Sequence, residues 1–274
     1  MSLSLFCIVL FAALLHAGWN AIVKRGSDTL LTTVLVTGAA AAFSALALPF
    51  LPAPDPRSWP WLAASTVLQV IYYVLVARTY QFTDMSASYP LMRGCAPILV
   101  AVVGSLVLGE TLGAMAWFGI ALISLGILCM ARGAAGRYLW LPLLNAGVIA
   151  SYTLVDAWGA RQSGAALSYT LWLFLLAGLP LPLWALCTRA RRLWLYARGN
   201  AGYALVGGLG TLTSYGLALW AMTVAPVAMI SALRETSILF GILISAFILH
   251  ERISRQRWIA AGLIVLGAVV LRSA

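Results

Sequence analysis

Of the 274 residues, 63% are hydrophobic and only 9% are charged, with 17 basic against 7 acidic side chains and a net charge of +10. A soluble domain usually carries about a quarter charged residues, so a water-soluble fold is excluded, and disorder with it, because both need polar surface. Eleven of the 17 basic residues fall in short connections between apolar runs, a pattern of membrane topology rather than of a nucleic-acid surface.

Charge-poor runs predict ten membrane helices in chain order, at 3–23, 29–51, 59–80, 86–108, 113–131, 138–158, 166–187, 200–221, 226–249 and 256–272. Each holds about 17–25 residues, enough to cross about 30 Å of hydrocarbon at about 1.5 Å per residue. The runs are apolar all round, without the period-two alternation of a membrane barrel. The first is read as a retained span, since Met1-Ser2-Leu3-Ser4 has no basic stretch of a signal peptide. Turn chemistry marks the connections Arg25-Gly26-Ser27-Asp28, Pro52-Ala53-Pro54-Asp55-Pro56, Gly109-Glu110 and Arg161-Gln162-Ser163-Gly164. The uncharged run 199–233 must hide a further turn, placed at Val224-Ala225-Pro226. Cys7, Cys95, Cys129 and Cys187 lie in or at the ends of spans and are expected to be free thiols.

The odd-numbered connections hold Lys24, Arg25, Arg132, Arg137, Arg189, Arg191, Arg192, Arg198, Arg252, Arg255 and Arg257; the even ones and the termini hold only Arg57, Arg161 and Arg272. The bias puts odd connections in the cytoplasm and both termini in the periplasm of a bacterial-type inner membrane. The halves repeat at a constant offset of 141: Glu110 with Glu251, Trp117 with Trp258, Gly126 with Gly267, Arg93 with Arg234. Five spans per half is an odd number, so the second half enters the membrane inverted. The expected fold is therefore an all-α membrane protein of ten transmembrane helices in two inverted five-helix repeats, residues 1–135 and 136–274. Inverted repeats are a transporter signature, with the substrate site near the midplane between the halves.

Leu108-Gly109-Glu110-Thr111-Leu112 and Leu249-His250-Glu251-Arg252-Ile253 close the fourth span of each half ahead of a glycine-containing fifth, and His16-Ala17-Gly18-Trp19-Asn20 precedes Lys24 in the first span. On these residues the chain resembles the drug/metabolite transporter superfamily, in particular the EamA-type ten-helix exporters, and within them the amino-acid exporters. The resemblance implies a central cavity, with spans five and ten as a peripheral scaffold. It leaves the substrate open, since members export amino acids, other metabolites and cationic drugs.

Charge inside the membrane costs several kcal/mol unless it is paired or faces water. Arg93 and Arg234 lie about 10 and 12 Å into spans four and nine from opposite faces, hence at similar depth. Two guanidiniums at one level can clamp a carboxylate or phosphate; the other reading is an internal pair, for example with Glu235. Glu235 is expected to be an internal counter-ion, an ammonium-binding group or a proton-coupling carboxylate. Asp156, near the outer end of span six, is either an interfacial carboxylate or a second coupling residue. His16, Asn20 and Lys24 share one face of span one at i, i+4, i+8, lining the cavity or bonding neighbouring helices. Tyr73 and Tyr215 are deep enough to line the cavity, and Gln69, Tyr72, Tyr89, Thr211 and Ser214 add polar groups near them. Most tryptophans read as an interfacial belt. Gly119/Gly126 and Ala260/Gly267 suit close helix packing. Pro90 and Pro97 flank Arg93 and favour a bent helix.

A zinc-protease motif, a serine elbow and an ATP-binding loop are all missing from the sequence. The expectation is a non-enzymatic secondary transporter without metal or cofactor, a monomer whose partners are the bilayer and a small-molecule substrate. Both charge signs near one level favour amino acids or similar zwitterions; organic phosphates, phosphonates or other organic anions are the alternative. A membrane scaffold or receptor needs neither buried charges nor a cavity.

Overall fold

The computed structural model describes residues 1–83, 85–131, 138–247 and 253–274, with the backbone alone at 77 and 85–87. Glu251, His250, Arg132, Arg137 and Arg252 lie outside these residues. Everything regular in the described chain is helical. In order the helices are α1 (Leu3–Arg25), α2 (Thr29–Ala47), α3 (Trp59–Phe82), α4 (Met85–Val107), α5 (Ala114–Leu128), α6 (Trp140–Ser163), α7 (Ala166–Gly178), α8 (Pro180–Val224), α9 (Val227–Arg234), α10 (Ser237–Phe247) and α11 (Arg255–Ser273). Among the described residues, seven helical stretches are long and apolar enough to cross a bilayer, and α5 is a shorter apolar helix.

Local chemistry sets the helix ends. The Ser2, Asp28 and Ser254 side chains accept from backbone N–H groups in the first turns of α1, α2 and α11. Lys24 and Arg25 fall in the last turn of α1, where a cation meets the negative end of the helix dipole. α6 stops at Gly164, whose φ of 61° is the left-handed C-terminal geometry that glycine adopts without strain.

Three expectations change. The predicted helix at 166–187 is interrupted at Leu179, between α7 and α8. The basic connection at 188–199 is helical: α8 runs through it, with only Arg189 leaving helical geometry (φ −140°, ψ 27°). Arginine, leucine and alanine are good helix formers, and charge ends a membrane span without ending a helix. Arg189 and Arg198 lie over the rings of Trp184 and Trp194, while Arg192 pairs with Asp28 at 2.7 Å, tying this segment to the start of α2. The predicted single helix at 226–249 is instead broken into α9 and α10 at Glu235 and Thr236. The Thr236 hydroxyl donates to the Leu233 carbonyl at the break (2.7 Å).

α6 is polar for a membrane helix, with Asn145, Asp156 and Arg161. It is sheltered by α3 and α4, and both Asn145 and Asp156 are fully buried. The main apolar core joins the two halves, gathering Val9, Ile120, Ile123, Leu219, Ile230, Leu233 and Ile264. α5 and α11 pack on each other at their glycines: a Cβ on Gly267 would stand 2.8 Å from the Gly119 carbonyl, and one on Gly119 3.1 Å from the Gly267 carbonyl. Gly207 and Gly208 likewise admit α2, with Val36 and Ala39 each 2.7 Å from a Cβ built there.

Candidate functional site

A cavity of about 230 Å³ lies among α1, α2, α3, α4, α6, α7, α8 and α9. α5, α10 and α11 give it no lining residue among those described. Its walls carry His16, Asn20, Tyr73, Arg93, Tyr215 and Arg234, six of the eight residues singled out by sequence for substrate or coupling. Tyr73 is half exposed. Trp19, Tyr72, Tyr152 and Phe174 make the wall mostly aromatic, with Gln69, Thr37 and Thr211 as further polar groups. Tyr72 meets Tyr152 edge-on at 5.7 Å, His16 meets Trp19 at 5.4 Å, and Phe174 meets Tyr215 at 6.0 Å. The Trp19 indole N–H in the wall is buried without a hydrogen-bond partner among the described residues.

The two arginines differ. Arg93 Nε lies 2.9 Å from Glu235 Oε2, and both side chains are buried. Glu235 is absent from the cavity wall and stands behind Arg93 as its counter-ion. This contact is the internal pair that the sequence left open as the other reading of these residues. Arg234, at the C-terminal end of α9, enters no ion pair among the described residues; its guanidinium lies over the Tyr215 ring, 4.9 Å from the centroid. Cation and helix C-terminus attract one another, and the ring face adds a cation–π contact. The helix thus breaks beside the cavity, with Arg234 at the C-terminal, electronegative end of α9.

Asp156 is also absent from the wall. It is completely buried, and the Tyr215 hydroxyl donates to its Oδ2 at 2.5 Å. Asn20 donates from Nδ2 to the His16 carbonyl (2.7 Å), keeping the polar face of α1 intact. Sequence reasoning passed over Phe174, which carries no signal as one apolar residue among many.

A second polar cluster lies past the C-terminal end of α4. Val227 N–H, at the start of α9, donates to both carboxylate oxygens of Glu110 (3.1 and 2.9 Å). Arg161 donates from Nη2 to Glu110 (2.7 Å) and to the Ala225 carbonyl (3.1 Å), and from Nε to the Met222 carbonyl (2.9 Å). Glu110 thus caps α9 while Arg161 satisfies carbonyls at the end of α8.

Buried charges around a cavity in a helical membrane protein mark a ligand or ion pathway. The EamA-like transporter family model matches residues 3–132 and again residues 137–273, so the chain belongs to that family, within the drug/metabolite transporter superfamily. It is a membrane transporter family and not an enzymatic one. A solved structure titled "Crystal structure of protein" is similar over 98% of this chain and 96% of its own, with a TM-score of 0.71 at 18% identity, a likeness of fold alone. No curated protein matches the chain.

Proposed function

We propose that the protein is a secondary transporter exporting amino acids or closely related small zwitterions by alternating access. The observation that carries this reading is the inequality of the two cavity arginines. With Arg93 neutralised by Glu235, Arg234 is the cation left for a ligand. One guanidinium neutralises one carboxylate, whereas a phosphate or phosphonate dianion keeps a net negative charge against it. A ligand ammonium is met by the aromatic faces of Trp19, Tyr72 and Phe174 and by the Gln69 and Asn20 side-chain oxygens. The volume also favours a small metabolite, since drug-sized pockets run to roughly 300–1,000 Å³.

In this reading the chain crosses an inner membrane ten times as a monomer, in inverted repeats at 1–135 and 136–274, with both termini periplasmic. The cavity draws on the first third of α4, and the Glu110–Arg161 cluster lies past the helix's other end. That cluster closes the periplasmic side while the cavity faces the cytoplasm.

Counter-flow in proteoliposomes tests the assignment, comparing labelled amino acids, their amides, organic phosphates and quaternary amines. Exchange of amino acids, with their amides excluded, is the expected result. Exchange confined to organic phosphates would support the anion alternative.

A further inference from the structure

We propose that Asp156 is a proton-binding site whose occupancy is read from the cavity through Tyr215 and Arg234. The carboxylate is fully buried, with its Oδ1 lacking a hydrogen-bond partner among the described residues. An ionised carboxylate so placed costs several kcal/mol unless a cation or several donors compensate it. Its surroundings are defined. Tyr215 of α8 donates to Oδ2. Tyr169 of α7 and Ser65 of α3, both buried, face it. Tyr152 lies one turn away on α6 itself. From α4 comes Arg93, held by Glu235, and before α3 the Asp55 N–H donates to the Ser163 carbonyl (3.0 Å), with the Asp55 and Arg57 side chains exposed. Arg234 of α9 stands over the face of the Tyr215 ring, whose hydroxyl makes that hydrogen bond, and its charge acts on Asp156.

Arg234 therefore serves two anions, the internal carboxylate and any ligand carboxylate. When a ligand neutralises Arg234, Asp156 loses its countercharge and accepts one proton from hydronium, which restores the charge balance. One O–H bond breaks in the hydronium donor as one forms on the carboxyl, leaving water. Ligand and proton then bind together.

The test begins with the proton itself as probe. Infrared difference spectra of the purified protein between mildly acidic and mildly alkaline pH are expected to show the carbonyl stretch of one protonated carboxyl, absent in Asp156→Asn. The Asn side chain still accepts from Tyr215 and keeps the fold. Arg234→Gln, which imitates a neutralised cation, is expected to keep that carboxyl protonated over a wider pH range, and Tyr215→Phe to uncouple the two. Loss of the band in no variant, or an identical band in Arg234→Gln, overturns the proposal, as does a change driven by sodium and not by pH. L-phenylalanine then separates this proposal from the transport reading on which its ligand rests. With the first results positive, a wild-type band that ignores L-phenylalanine refutes the amino-acid assignment and leaves the proton site standing.

Discussion

The buried Arg93–Glu235 pair makes a prediction at the scale of single side chains. Removing one member strands a buried charge, at a cost of about 3–5 kcal/mol. Arg93→Gln and Glu235→Gln are each expected to lower the melting temperature in detergent, and the double variant to recover most of the loss. Equal, additive losses would mean that the two do not act as a pair. Intramembrane charge is rare enough that Arg93 and Arg234 stood out from the sequence, as did the stripe of His16 and Asn20. The unequal roles of the arginines were not legible. Glu235 adjoins Arg234 in the chain, and a continuous helix gives no reason for it to pair with Arg93 of α4. The aromatic lining was partly legible, through the tyrosines with hydroxyls in mid-span, whereas Phe174 looks like any lipid-facing or core residue.

At the scale of elements, the Glu110 cluster joins a loop of the first half to the ends of α8 and α9 in the second. Glu110→Gln keeps a carbonyl for the Val227 N–H and loses the ionic bond to Arg161, at about 1.5–3 kcal/mol. Glu110→Ala loses the cap as well and is expected to melt lower still. Substrate preference is expected to be unchanged in both, because the cluster is outside the cavity wall; an altered preference would place Glu110 in recognition. The α5–α11 contact offers a separate case. Gly267→Ala pushes a Cβ against the Gly119 backbone and is expected to destabilise by about 1–3 kcal/mol. Gly241→Ala in α10, where a Cβ meets nothing within 4 Å, is expected to be neutral or stabilising by up to ~1 kcal/mol. The close-packing role of these glycines followed from their spacing. The extent of α8 and the break between α9 and α10 did not, since hydropathy reports where the bilayer ends and is silent on whether the backbone stays helical there.

For the whole molecule, the proposed orientation with both termini periplasmic rests on the charge asymmetry. Cysteines placed at Ser2 and Ser273, with the four native cysteines replaced by serine, are expected to react with an impermeant thiol reagent in intact cells; reaction only after lysis reverses the orientation. The central claim is that Arg234 reads a ligand carboxylate across a cavity shared by both halves. Lysine there keeps the charge and loses the planar fork. The most direct measurement is uptake into proteoliposomes of L-phenylalanine against its amide, in wild type and in Arg234→Lys. The account predicts that wild type prefers the free carboxylate and that the variant loses roughly 10–150-fold of that preference, the equivalent of one charge-assisted hydrogen bond. Transport of L-phenylalanine with the preference intact in the variant would contradict it.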